Sequence, residues 1–479
     1  MRYAISVLLL CIAVIYQSKA QSNRIQHPLS LEEAYTILLN NNNPIKIAQK
    51  GIETAIAEKQ QLNSTWYPII SGTGLYSHSS NDIEVKLNIG DAAQDLIHNI
   101  PDLELLLSQL LPQLQEAISS LNNLNISVPI LKNNITSFDI VAVWPLITGG
   151  KRIFASRIGK DIEEIAKNFN TLTINAQTAL MLNAYYTLKL SDEIVAMQQE
   201  HLRFTEKLHY NASRLKEEGF LTKAEYLVAK IAQDEAANTL QTSQHNRNIA
   251  ENALNTILGK KIEFSHLSGN FFILDTLPNI IEINTQILQN NAQLKILNAQ
   301  SNILENKTKI AKTDYLPTVA AFAKQNIYSN NIPKNLVPNT IIGATMQWNI
   351  FNGFAREKEI KKSKIQEEQL VHTTDQTRKE ILTGALALRN SMVDALHNIE
   401  TLSLTVDLAK ELLREREKAF AEGMCTTTDI LFAQSSLTKA KTAQALAYWQ
   451  YCTSLANLLA LSSQTEKFIQ LHHGYKSAH

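Results

Sequence analysis

The sequence predicts a mainly α-helical chain with a transmembrane β part, built as a duplicated helix, strand, strand, helix, helix repeat with four strands per chain. Three observations carry this expectation. Gly and Pro together make up only 26 of 479 residues, about half their usual share, which leaves room for long uninterrupted elements. Separate landmarks recur at one constant offset of 204 residues. The hydrophobic period also changes from about 3.6 to 2 ahead of each recurring tryptophan.

Residues 1–20 read as a secretory signal. Arg2 supplies the positive start, Ala4 to Ile15 an apolar run too short to span a bilayer as a helix, and Ser18-Lys19-Ala20 a small-x-small cleavage site before Gln21. The rest of the chain offers no apolar stretch of transmembrane length. With 45 Lys+Arg against 45 Asp+Glu, no global field favours a polyanion, so no nucleic-acid partner is expected. Cys425 and Cys452 are too few for a disulfide scaffold, and whether they pair is open.

The repeat sets the remaining boundaries. Trp144-Pro-Leu-Ile-Thr-Gly149 aligns with Trp348-Asn-Ile-Phe-Asn-Gly353, and Glu218-Gly219-Phe-Leu-Thr222 with Glu422-Gly423-Met-Cys-Thr426. Upstream, Tyr67-Pro68 resembles Tyr315-Leu-Pro317, and Asn42-Asn43 resembles Asn290-Asn291. The expected segments are 21–66, an N-terminal piece with the first ascending helix; 67–148, a first membrane hairpin with an insertion near 82–135; and 149–258, a long helical hairpin. An equatorial segment over 259–284 follows, then a second ascending helix over 285–314, a second membrane hairpin over 315–352, a second helical hairpin over 353–462 and a polar tail over 463–479.

Within the hairpins, 151–218 and 354–422 contain no Pro, and Ile381, Ala385, Leu388, Met392, Leu396 and Ile399 fall at three- and four-residue intervals, the stripe of a packed helix. Gly219 and Gly423 mark the hairpin turns. Before each tryptophan, Ile342, Ala344, Met346, Trp348 and Ile350 alternate with polar or small residues. Shifted by 204, the apolar face becomes Phe138, Ile140, Ala142, Trp144 and Leu146, with Asp139 and Val141 opposite. Trp66, Tyr67, Trp144, Tyr315 and Trp348, where strands meet helices, suit membrane-interface anchors. Four strands cannot close a barrel, and an open edge in lipid costs several kcal/mol per unpaired group. The chain must assemble, two copies giving eight strands and three giving twelve.

These residues resemble the TolC-like outer membrane factor (outer membrane efflux protein) family over about 29–462. The resemblance rests on Leu29-Ser-Leu-Glu-Glu-Ala34, Tyr67-Pro68 and Tyr315-Leu-Pro317, the strand-to-helix turns at Gly149, Gly150 and Gly353, and the two tip motifs, which run on to Asp429-Ile-Leu431. It implies a homotrimer with a 12-stranded β-barrel in the outer membrane, continued by a 12-helix periplasmic α-barrel. It also implies a passive exit duct in a tripartite efflux pump, with outer-membrane lipid, a periplasmic adaptor protein and an inner-membrane pump or ATP-driven exporter as partners. The outer-membrane component of a type I protein secretion system is the alternative. The turns Gly219, Phe220, Leu221, Thr222 and Gly423, Met424, Cys425, Thr426 match adaptor-docking tips. Glu225 and Asp429 match the acidic constriction, with Phe420 as an aromatic gate position and Phe432 standing where a second acid is expected.

Two features remain outside that pattern. The insertion carries Leu103, Leu107, Leu110, Leu114, Ile118 and Leu121 at helical spacing, expected as an extracellular cap or a rim-side loop. Lys151, Arg152, Arg157 and Lys160, and Arg356, Lys358, Lys361, Lys362 and Lys364, open the long helices with positive charge where the dipole favours acids. Anionic headgroups or pairing with Glu163, Glu357 and Glu359 could answer it. No metal-ligand spacing, phosphate loop or nucleophile elbow is present, so no enzyme, cofactor or metal is expected. An exported coiled-coil spacer or adhesin would explain the helices and leave the strands unexplained.

Overall fold

The computed structural model describes residues 28–81, 83–88, 125–131, 133–331 and 338–478. The expected signal peptide and the leucine-spaced helix of the insertion lie outside the described residues. The chain divides into two units: one of residues 60–157 and 306–363, the other of 1–59, 158–305 and 364–479.

The first unit is built on strands β1 Ile69–His78, β2 Ile83–Asn88, β3 Asn125–Leu131, β4 Asn134–Ile147, β5 Thr318–Asn330 and β6 Thr340–Gln347. A four-stranded antiparallel sheet has the order β1-β4-β5-β6, and β2 pairs with β3 apart from it. The expectation of four strands therefore holds for the main sheet and is corrected for the chain, which has six among the described residues. The extra pair falls in the insertion, where Ile83, Val85 and Leu87, at period-two spacing, pair with Leu131, Val128 and Ile126, with a register shift between Ile83 and Glu84. Asp139 and Ser137 are covered on β4 while Phe138, Ile140, Trp144 and Leu146 are exposed, so the apolar alternation stands as expected. Ile70, Tyr76, Ile342 and Met346 extend the exposed apolar face across the sheet.

A second correction concerns β6, expected to run to Ile350. It stops at Gln347, whose partner is Thr318. Pro317 precedes that partner and has no N–H to extend the ladder. β4 continues to Ile147 because β5 pairs with it as far as Val319, beyond Val143, where the pairing with β1 ends.

The second unit is helical. In chain order the helices are α1 Leu31–Asn41, α2 Asn43–Asn63, α3 Lys151–Glu217, α4 Lys223–Leu258, α5 Ile280–Asn290, α6 Ala292–Thr313, α7 Ala355–Ala421, α8 Thr427–Leu461 and α9 Thr465–Ala478. The starts of α3 and α7 and the ends of α2 and α6 belong to the strand unit. α3 and α7 are 67 residues each, roughly 100 Å at 1.5 Å per residue.

Both ascending helices are broken rather than continuous, each at an asparagine that does the same work. Asn42 Nδ2 donates to the Ile257 carbonyl (2.7 Å) and its Oδ1 accepts from Ile45 N (3.1 Å). Asn291 Nδ2 donates to the Leu461 carbonyl (2.8 Å) and its Oδ1 accepts from Leu294 N (3.0 Å). Each joint thereby satisfies a terminal carbonyl of α4 or α8 that has no intrahelical partner. The true match is Asn42 with Asn291, one residue off the alignment of the Asn-Asn pairs.

The core of this unit surrounds Tyr185, Tyr186, Tyr451, Phe272 and Phe468, all fully buried. Tyr185 O–H donates to the Leu29 carbonyl and accepts from Gly269 N, both at 3.0 Å, tying the N-terminal segment and the irregular stretch after α4 to α3. The polar tail expected over 463–479 is instead α9. Phe468 packs edge-on against Phe272 at 5.2 Å, and His472 is buried against the same ring at 5.6 Å. Phe468, Ile469 and His472 share one helical face, and Leu471 packs against the same core, enough to bury a short helix. Cys452 is buried in the core, which pushes its thiol up to about 12, and both cysteines are free, which settles their pairing.

Candidate functional sites

The two hairpin turns are built alike. After α3, Gly219 takes φ +82°, Gly219 N donates to the Lys216 carbonyl (3.1 Å) and Phe220 N to the Leu215 carbonyl (2.8 Å). After α7, Gly423 takes φ +71°, Gly423 N donates to the Phe420 carbonyl (3.1 Å) and Met424 N to the Ala419 carbonyl (2.7 Å). This double closure of the helix end requires the left-handed backbone that glycine adopts without strain. It turns Phe220 and Met424 outward, at 79% and 71% exposure.

Below the turns, Leu208 and Ala212 of α3, Ala229 of α4, Phe420 of α7 and Ile430 of α8 form one small core, with Leu221 and Cys425 packed against it. Phe420, expected at the gate, is thus taken up in holding one hairpin to the other. Phe432 is 69% exposed. A cavity of about 450 Å³ opens beside this core, lined by Lys207, Arg214, Glu218, Glu417 and Phe420 among others.

Thr222 and Thr426 cap the returning helices. Thr222 Oγ1 accepts from Glu225 N and Thr426 Oγ1 from Asp429 N, each at 3.2 Å. In the second copy the box closes, because Asp429 Oδ2 accepts from Thr426 N (3.0 Å) and Thr426 Oγ1 (2.7 Å). The Thr426 hydroxyl and then its N–H hold the Asp429 carboxyl below the usual carboxylate range. A lowered folded pKa gives stability that is present above the ordinary Asp value of about 4 and lost as pH falls through the folded one. The difference in melting temperature between the protein and an Asp429→Asn variant is therefore expected to be full near neutral pH and to shrink as pH falls below about 4.

At the strand ends Gly149 and Gly150 take φ +60° and +90°, and Gly353 takes +68°. Phe354, at the position of Gly150, adopts φ +67°, a departure the motif did not signal. The aromatics form the same lock twice. Trp144 Nε1 donates to the Trp66 carbonyl at 3.0 Å, and Trp348 Nε1 to the Tyr315 carbonyl at 3.1 Å, leaving all four rings partly exposed, with Tyr67 more exposed still.

Sequence reasoning missed the role of two arginines. Arg152 stacks over Trp66 at 4.4 Å and donates to the Leu146 carbonyl at 2.8 Å. Arg356 stacks over Tyr315 at 4.3 Å and donates to the carbonyls of Asp314 (2.8 Å), Asn349 (2.9 Å) and Ile350 (3.0 Å). Positive charge at these helix starts serves the carbonyls where the strand leaves the sheet, an attraction that outweighs the dipole term of 0.3–1 kcal/mol or so. Both arginines sit 204 apart, which was the available signal. The pairing expected for Glu163 is corrected too: it binds Lys59 (2.8 Å) and Lys167 (2.6 Å), which bring it down to about 2, with Lys167 the stronger influence.

Among the described residues no helix is long and apolar enough to cross a membrane, and no cluster of side chains could hold a metal ion. Comparison with curated protein sequences finds no match. The model of the family described as outer membrane efflux protein matches residues 284–463, the second copy of the repeat. Among solved structures, the Campylobacter jejuni CmeC outer membrane channel aligns with TM-score 0.70 at 14% identity, over 92% of this chain and 89% of that one. The outer membrane protein VceC of Vibrio cholerae aligns with TM-score 0.70 at 15% identity, over 91% and 96%. The chain has the fold of a TolC-like outer membrane factor. The open-state Neisseria gonorrhoeae MtrE outer membrane channel gives the same result, TM-score 0.70 at 13% identity over 91% and 89%. Within that fold the chain carries one exposed apolar sheet face, and its two helix turns expose Phe220 and Met424.

Proposed function

We propose that the chain is the outer-membrane exit duct of a tripartite efflux pump, a passive channel formed by three copies. The observation that carries this is the main sheet. Its outward face is apolar from Ile70 to Met346, while its edge strands β1 and β6 have no further partner among the described residues. In lipid such edges must be paired, and pairing β6 of one copy with β1 of the next through three copies closes a twelve-stranded barrel. A coiled-coil spacer has no use for this sheet. The helices line the periplasmic part of the duct, and Phe220 and Met424 at the turns are the apolar contacts offered to a periplasmic adaptor. Glu225, Asp429 and Phe432, beside those turns, form the constriction, with Phe420 keeping the two hairpins of each copy in register. Chemical work belongs to the partners.

The test is reconstitution of the purified chain from outer membranes. A heat-modifiable trimer that conducts ions in planar bilayers is expected, and a cysteine placed at Thr222 or Thr426 should cross-link to the adaptor in cells. A soluble monomer, or a detergent-extracted protein with no conductance even after the tips are loosened, would overturn the reading.

A further inference from the structure

Across β1, β4, β5 and β6 only two residues are Asp, Glu, Lys or Arg, and they bind each other. Lys324 Nζ lies 2.9 Å from Asp139 Oδ2, and Asn326 Nδ2 donates to Asp139 Oδ1 at 2.8 Å. In the β4–β5 ladder Asp139 faces Asn326 and Lys324 faces Val141, so the ion pair runs diagonally between neighbouring strands. Asp139 is only 7% exposed, and it alternates with the exposed Phe138 and Ile140, on the face turned away from the apolar one. A charge on the lipid side would cost several kcal/mol, so this face is the only one that can hold the pair.

Resting on the proposed trimeric channel, that face lines the barrel lumen, and three copies bring three Asp139–Lys324 pairs to one level as the only formal charges of the strand wall. We propose that this pair sets the ion selectivity of the barrel lumen. Paired at 2.9 Å, the two charges present a short dipole whose field dies away within a few ångströms, so the wall favours neither ion sign. Losing either partner leaves three like charges around one axis, between low-dielectric walls that concentrate their field. The repeat does not supply a second pair. The counterpart of Asp139 in the second copy is Gly343, where an added Cβ would meet the Phe322 ring at 3.0 Å.

The experiment is the reversal potential of the reconstituted full-length channel in a KCl gradient across a planar bilayer. Asp139→Asn should shift the chloride-to-potassium permeability ratio upward by roughly threefold or more, and Lys324→Gln should shift it downward by a similar factor. The double variant and Lys324→Arg should both return to the wild-type ratio. Unchanged ratios, or two single variants shifting in the same direction, overturn the inference. So does failure of the single variants to form channels while Lys324→Arg still does, since the pair would then serve assembly alone. A wild-type chain that never conducts would strike at the channel reading instead, which keeps the two failures distinct.

Discussion

Gly259→Ala is expected to be among the most damaging single substitutions in the helical unit, costing about 3–5 kcal/mol and measured as a fall in the helical melting temperature in detergent. Gly259 ends α4 at φ +72°, where an L side chain costs roughly 1–2 kcal/mol by itself. The greater part comes from space. An added Cβ would lie 2.6 Å from the Asn41 carbonyl oxygen and 2.9 Å from its carbon, backbone atoms that cannot rotate away. They cannot retreat either, because Asn42 next door is bonded to the Ile257 carbonyl. The second copy provides an internal control. Ser463, 204 residues on, ends α8 with φ +56° and carries its side chain there, so that joint has room. Ser463→Gly should therefore stabilise by up to about 1 kcal/mol, the opposite sign from the change at Gly259. Equal and small effects at both sites would show that the first joint is not tightly packed.

Arg356→Ala is expected to loosen the end of β6, at a cost of about 3 kcal/mol, read as lost heat resistance of the assembled protein and a red shift of Trp348 emission. The guanidinium is nearly buried, spreads three hydrogen bonds over the Asp314, Asn349 and Ile350 carbonyls, and lies over Tyr315. Removing it leaves three acceptors short of charge-assisted donors and exposes the ring face. Arg356→Lys keeps the charge but not the fork, so it should recover less than half. Arg152→Ala should cost less, about 1–2 kcal/mol, because its one short bond is to the Leu146 carbonyl and its second, to the Thr65 carbonyl, is long at 3.5 Å. An Arg152→Ala variant weaker than Arg356→Ala would contradict this ranking.

Legibility in the sequence followed the range of the interactions. The tip turns were readable because Glu-Gly and the Thr three residues before an acid act within six residues of chain. The alternating face of β4 was readable because period-two side chains need no knowledge of the partner strand. The same signal over Ile83 to Leu87 went unread, overshadowed by the leucine spacing that follows it. Arg152 and Arg356 were visible as a repeated charge and misjudged in role, since their acceptors come from residues that only the strand-to-helix reversal brings near. The asparagine joints were visible as landmarks, one residue out of register, with no hint that each reaches across to another helix.

What the sequence by itself determined about this protein is its plan: two copies, the length of the rods, the position of the turns and which strand face is apolar. The two copies show as landmarks repeated at one offset, and the rest depends on propensity and periodicity between residues close in the chain. The tertiary structure alone decided that α9 is a helix sealed by Phe468 and His472 rather than a tail, that Phe420 binds hairpin to hairpin, and that Asp139 meets Lys324. Each of those outcomes turns on burial or charge pairing between residues that only folding brings together. Asp139 and Lys324, for example, lie 185 positions apart, and no local pattern can encode such a meeting.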